Sequence, residues 1–191
     1  MTLQAKWDGV YRNRAVEQPR AAAVLAEFSH LLPDHGSALD LACGRGGNAL
    51  LLARHGLDTW AWDISPVAIE QLKKTARACH LTIHAEVCDV EAAVFEPGRF
   101  DVIVVTRFLL RSLSDAIILA LKPGGLLFYQ TFTREKVASS GPSNPEFLLS
   151  ENELLSLFSP LKIRVYREEG RLGDVTRGLR NEALLIGQRR P

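Results

Sequence analysis

The chain is 191 residues long, 47% hydrophobic and 24% charged, with a formal net charge of +1. That length fits one domain able to bury a core without disulfides or structural metal, and the near-neutral balance sets up no global basic field of the kind nucleic-acid binders carry. Cys43, Cys79 and Cys88 are too few and too scattered for a disulfide framework or a zinc site, which fits a reducing, cytoplasmic setting, and no apolar run reaches the ~20 residues of a membrane span.

Residues 3–32 are predicted helical, because Ala21, Val24, Leu25, Phe28, Leu31 and Leu32 recur at the three-to-four spacing of one buried face up to Pro33. Strand and helix then alternate. A strand over 37–42 runs through a glycine cluster into a helix over 48–55. A second strand, 57–63, leads to a helix that Ser65 caps and Pro66 opens, where the missing N–H costs nothing. A third strand follows at 82–88 and a fourth at 100–106, whose Val102-Ile-Val-Val105 run suits a strand buried on both faces. A helix over 112–121 is predicted to end at Lys122-Pro-Gly-Gly125, before a fifth strand at 126–132. A helix at 151–158 and strands at 161–168 and 181–188 close the chain.

This alternation implies a mostly parallel sheet with helices on both faces. Ligands of such sheets bind beyond the C-terminal strand ends, at the topological switch point. The irregular stretch 133–150 follows the fifth strand and is expected to act as a lid over that edge.

The strongest motif is Leu39-Asp40-Leu-Ala42-Cys43-Gly44-Arg-Gly46-Gly-Asn48. An apolar strand ends in an acid, breaks into glycines that let backbone approach a ligand, and enters a helix whose first N–H groups are unpaired. Asp40, inside the strand end, can serve a cationic amino group. Gly44, Gly46 and Ala49 also satisfy the dinucleotide pattern, so a nicotinamide-dependent oxidoreductase stays open on the glycines alone. Asp63 ends the second strand, where an acid can hydrogen-bond both hydroxyls of a ribose, and Ile64 beside it can lie against adenine. Asp89, followed by Val90 after the third strand, can accept from an adenine amino group. Thr106 ends the fourth strand at the same edge.

In this order and spacing, Asp40-Leu-Ala-Cys-Gly-Arg-Gly46, Asp63, Asp89 and Leu121-Lys-Pro-Gly-Gly125 resemble the class I S-adenosylmethionine (SAM)-dependent methyltransferase superfamily. Cys43-Gly-Arg-Gly-Gly-Asn48, Ala61-Trp-Asp-Ile-Ser65 and Trp7-Asp-Gly-Val-Tyr11-Arg12 are most similar to its tellurite-resistance and thiopurine-type group. The resemblance implies a Rossmann-like seven-stranded sheet in the order 3-2-1-4-5-7-6 with strand 7 antiparallel. It implies one domain over 1–191, made of a helical cap (1–35), a SAM-binding core (36–132) and a substrate-side remainder (133–191). It implies SAM as cofactor, no metal, and Trp7 and Tyr11 closing over the bound molecule. It assigns cofactor contact to Asp40, Ala42, Cys43, Gly44, Gly46, Asn48, Asp63, Ile64, Asp89, Val90 and Thr106.

The fourth strand's exit carries no amine-gripping or cysteine-nucleophile motif. Arg107 and Arg111 follow instead, spaced to share a face of a helical turn and positioned to hold an anionic acceptor, with pairing to a local acid such as Asp115, or contact with the SAM carboxylate, the competing roles. The expected partner is a small anionic, thiol or metalloid molecule, with no membrane and no nucleic acid, in a monomer or homodimer. A catalytically silent SAM-binding protein and a protein or nucleic-acid methyltransferase remain alternatives.

Overall fold

The computed structural model describes residues 2–13 and 18–191. Strands β1 (Ser37–Leu41), β2 (Asp58–Asp63), β3 (His84–Val87), β4 (Phe100–Thr106), β5 (Leu121–Phe132), β6 (Lys162–Arg167) and β7 (Glu182–Gln188) form one sheet in the order 3-2-1-4-5-7-6. Neighbours among β1 to β5 pair in parallel, whereas β7 runs antiparallel to both β5 and β6. This is the topology implied by the resemblance.

The period-two alternation of the central strands divides the core. Leu39, Leu41, Ile103, Val105, Leu127 and Tyr129 point to one face, covered by α5 (Ser114–Ala120) and α6 (Glu153–Leu157). Ala38, Val102, Val104, Phe128 and Leu184 point to the other, against α2 (Ala23–Ala26) and α3 (Gly47–His55). On that second face α4 (Pro66–Ala78) packs Ile69, Leu72 and Ala76 beside α3. Each fully buried leucine here stabilises the fold by roughly 2 kcal/mol of transfer free energy. The first helix, α1 (Leu3–Asn13), lies against α4 rather than on the sheet.

Three expectations need correction. The helix over 3–32 is not continuous: α1 spans Leu3–Asn13, residues 18–22 are non-helical, and Ala22 is extended (φ −68°, ψ 157°) before the short α2 and a 3₁₀ turn at Ser29–Leu31. Pro19 explains the break, since it removes an amide donor and pushes the preceding residue away from helical geometry; residues 14–17 of that expectation lie outside the described residues. Strand β5 begins at Leu121, not 126, because Leu121 pairs with Phe100 before a bulge, and the Lys122–Gly125 turn is taken up in the strand. Finally, Arg107 and Arg111 do not share a helical face. Arg107 is left-handed (φ +53°), and helical structure starts only with a 3₁₀ turn at Arg111–Leu113.

Candidate functional site

The parallel register sets the ends of β1, β2 and β4 side by side, with Leu41 opposite both Trp62 and Val105. Ala42–Gly46, Asp63 and Thr106 therefore share one edge. There the chain turns sharply: Ala42 (φ +53°), Gly44 (φ +54°) and Gly46 (φ +76°) are all left-handed. Gly46 also has no room for a side chain, because a Cβ would sit 2.3 Å from Leu72 Cδ1. A non-glycine residue in this conformation costs roughly 1–3 kcal/mol, so Ala42 marks strain held by its surroundings.

Two buried carboxylates brace the turn. Asp63 accepts the Gly44 N–H at 2.8 Å on Oδ2 and the Ser65 N–H at 2.9 Å on Oδ1. Burial raises its carboxyl above the usual range, against those two N–H bonds, and the nearby Asp8 charge adds to the rise. Asp40 is completely buried. It accepts the Ala49 N–H at 3.0 Å and Asn48 Nδ2 at 3.3 Å, so its oxygens turn toward the start of α3 and reach a cationic ligand only through their charge. Burial pushes Asp40 up to about 7. Cys43, between them, is buried, and burial with the adjacent Asp40 and Asp63 charges pushes its thiol well up.

Asp89 is exposed, with Oδ1 accepting the Glu91 N–H at 3.1 Å, and Val90 is buried beside it. Ile64 is half-buried after Asp63. Asn48 ties three elements together: Nδ2 donates to Thr106 Oγ at 2.9 Å as well as to Asp40, and Oδ1 accepts the Ala22 N–H at 2.9 Å. The turn is covered by α1, whose Tyr11 hydroxyl lies so near Gly44 that a Cβ there would meet it at 2.8 Å. Trp7 stacks against Tyr11 with ring centroids 6.1 Å apart, and the Tyr11 carbonyl accepts from Gln71 Nε2 at 3.3 Å. Trp7 and Tyr11 thus lie at the edge that carries Asp63.

The two arginines divide. Arg111 is tied into the chain: it pairs with Glu153 at 2.6 Å and donates to the carbonyls of Glu146 (2.7 Å) and Leu148 (3.1 Å). The Glu153 bond raises its pKa, and the Arg111 bond lowers that of Glu153. Arg107 donates through Nε to Glu182 at 3.2 Å and stays 61% exposed, its guanidinium 6.0 Å from the Phe132 ring centre. Their partners are Glu182 and Glu153 rather than Asp115. Sequence reasoning missed Glu182, Gln130 and Asp8. Gln130 accepts the Val24 N–H at 2.7 Å and donates to Glu182, so Glu182 serves Gln130 and Arg107 together. Nothing in a one-dimensional reading pairs positions so far apart, whereas Asp8 sits inside the Trp7–Tyr11 segment and was in view.

The donor set fits SAM. Each oxygen of Asp63 has taken one backbone N–H, which leaves a lone-pair direction on each for a ribose diol; Gly44 and Gly46 beside it are buried, Gly44 beneath the Tyr11 hydroxyl. Residues 38–125 match the sequence model of a family described as a methyltransferase domain. That segment is a little under half of the chain; it is similar in sequence to a methyltransferase domain, and the 3-2-1-4-5-7-6 sheet around it is the Rossmann-like methyltransferase fold. Among curated proteins the chain is similar to the ubiquinone biosynthesis O-methyltransferase of Coxiella burnetii, 32% identical over 102 residues, or 50% of this chain and 43% of that protein. The chain thus spans less than half the length of that relative. Among solved structures it resembles TehB from Haemophilus influenzae (TM-score 0.70, 22% identity, 98% of this chain and 67% of that one). It also resembles a structure described under the conversion of a disulfide bond into a thioacetal group during echinomycin biosynthesis (TM-score 0.74, 23% identity, 99% and 92%). At these identities the structural likenesses establish the fold alone.

Proposed function

We propose that this protein transfers the methyl group of SAM to a small anionic, thiol or metalloid acceptor, releasing S-adenosylhomocysteine, in a reducing, cytoplasmic setting. The observation that carries the reading is the juxtaposition at one sheet edge of the Asp63–glycine turn with the exposed guanidinium of Arg107. The O-methyltransferase name of the Coxiella burnetii relative supports a heteroatom acceptor.

SAM supplies an activated methyl group: the acceptor's lone pair bonds to the methyl carbon as the carbon–sulfur bond breaks and the sulfonium becomes a thioether. The chain need not provide a nucleophile. Asp63 would hold the ribose, Ile64, Asp89 and Val90 would bind the adenine, and Asp40 with Asn48 fixes the turn where the methionine end would lie. Trp7 and Tyr11 exclude water, and Arg107 holds the acceptor's negative charge. Alignment of this kind contributes roughly 7–11 kcal/mol in well-oriented reactions. An acceptor that is already a thiolate or oxyanion needs no general base.

The test is mass-spectrometric detection of S-adenosylhomocysteine after incubation with SAM and pools of thiols, tellurite, selenite, small carboxylates and phenols. Product that depends on one anionic or sulfur pool is expected. Binding of SAM without product from any pool would refute the acceptor class and favour a silent SAM-binding protein or a macromolecular acceptor. Asp63→Ala is expected to weaken SAM by about ten- to a hundredfold in calorimetry, the equivalent of one or two charged hydrogen bonds; unchanged affinity would remove Asp63 from the ribose.

A further inference from the structure

Helix α1 is attached in an unusual way. Its apolar residues Leu3 and Val10 are exposed, while Asp8 is buried. Burying a carboxylate is costly unless it is hydrogen-bonded, and an apolar residue would secure a helix more cheaply. The exposed Arg12 stands 3.9 Å away and offsets little of that cost. What Asp8 has is Ser65: the fully buried Ser65 hydroxyl donates to Asp8 Oδ1. With its single proton committed, Ser65 Oγ accepts the Ala68 N–H at 3.2 Å and caps α4. The same residue's backbone N–H donates to Asp63 Oδ1. A residue of α1, the cap of α4 and the acid at the end of β2 therefore meet on one serine.

We infer that Asp8 is a positioning residue for SAM: its hydrogen bond from Ser65 seats α1 over the glycine turn and fixes the βα corner that aims Asp63. The inference rests on the reading that Asp63 takes the ribose. Asp8 is hydrogen-bonded to Asp63 only through Ser65, and its charge also raises the Asp63 carboxyl, so Asp8→Asn, which keeps the bond and removes the charge, separates placement from charge. The tie is also local. The described contacts of α1 also include the Tyr11 carbonyl on Gln71, the Tyr11 ring at Gly44 and Lys6 Nζ 6.0 Å from the Phe147 ring centre, none of them part of the sheet ladder, so loss of Asp8 loosens the helix and leaves the sheet intact.

The experiment compares Asp8→Ala, Asp8→Asn, Ser65→Ala and Asp8→Ala/Ser65→Ala with the wild type. Two readouts are used: hydrogen exchange of the α1 amides without ligand, and SAM affinity by calorimetry. Asp8→Ala is expected to strip protection from α1 while β1 and β2 keep theirs, and to weaken SAM about tenfold, the loss of one charge-assisted hydrogen bond. Asparagine can still accept the serine proton, so Asp8→Asn stays within about twofold of wild type. The double variant is no weaker than the worse single one, because both remove the same bond. The inference is overturned if α1 protection in Asp8→Ala equals wild type, if its SAM affinity is unchanged, or if Asp8→Asn fails as badly as Asp8→Ala. A wild-type protein that does not bind SAM would defeat the ribose reading instead, and the exchange arm still judges the clasp. If Asp8→Ala does not fold, Ser65→Ala and Asp8→Asn carry the same comparison.

Discussion

Asp40 should make this protein lose stability as the solution goes from mildly acidic to mildly basic. Its carboxyl is fully buried, and burial, opposed by the bonds from Asn48 and Ala49, pushes it up to about 7 from 3.8. The folded chain thus holds a proton that the unfolded chain releases. The contribution to stability is complete below 3.8 and is lost as pH rises through about 7. The span from 3.8 to about 7, at ~1.36 kcal/mol per pH unit, corresponds to about 4 kcal/mol, of which about 3 falls between pH 5 and pH 8. Asp101 and Glu153 behave oppositely. Their carboxyls are lowered, so the stability they add is present above their unfolded values and is lost in acid, below this window. Asp63 is raised like Asp40, so the Asp40 share must be isolated by substitution.

Asp40→Asn removes the titration. The amide cannot accept both Ala49 N–H and Asn48 Nδ2, and one unpaired donor costs roughly 1–3 kcal/mol, but that cost is the same at every pH. Urea unfolding from pH 5 to pH 8 is the assay. Wild type is expected to lose about 3 kcal/mol relative to Asp40→Asn across that range. Profiles that stay parallel to within ~0.5 kcal/mol, the scatter of ordinary mutational differences, would refute the reasoning.

Arg107→Ala should leave stability within ~0.5 kcal/mol, because the side chain is largely exposed. SAM affinity should not change, while kcat/KM for an anionic acceptor falls about tenfold or more; equal turnover would take Arg107 out of the acceptor site. Arg111→Ala strands Glu153 and the carbonyls of Glu146 and Leu148. It should cost about 1–3 kcal/mol in urea unfolding and speed hydrogen exchange over 144–153 without weakening SAM, so a selective loss of SAM binding would place Arg111 at the cofactor. Gly47→Ala should lower Tm, since a Cβ there lies 2.1 Å from the Arg20 carbonyl and overpacking of this kind costs roughly 1–3 kcal/mol; an unchanged Tm would mean that the Arg20 segment yields freely.

The sheet was legible because its signals are local. The Val102–Val105 run, the Ser65-Pro66 helix start and the glycine break after Leu41 each state their own conformation, whereas the order of strands came from the resemblance to a known family and not from these local signals. The acids at the ends of β1 and β2 were legible for the same reason. The segment 3–32 was misread because the apolar spacing of residues 21–32 outweighed Pro19, although a proline overrides periodicity by removing a donor and restricting its predecessor. The arginine pair was misread because helical spacing says nothing about where a helix starts. Arg107 instead takes a left-handed turn that delivers its N–H to the Gln130 carbonyl at 2.8 Å.

That turn bears on how the two halves of the site are joined. The chain segment before α2 has no strand to pair with, yet its backbone must be satisfied. Asn48 takes the Ala22 N–H and Gln130 takes the Val24 N–H, so one side chain from the cofactor turn and one from β5 pin the same stretch. Gln130 in turn shares Glu182 with Arg107. The guanidinium proposed for the acceptor and the asparagine beside Asp40 are thus ends of one polar chain through Glu182, Gln130 and the 22–24 backbone. Partly satisfied networks of this kind are costly when buried. Removing Gln130 would therefore leave the Val24 N–H and the Glu182 carboxylate without their partner at once, loosening the acceptor side and the cofactor side together. A one-dimensional reading that assigns Arg107 to one function and Asn48 to another has no means of seeing that Gln130 and Glu182 lie between them.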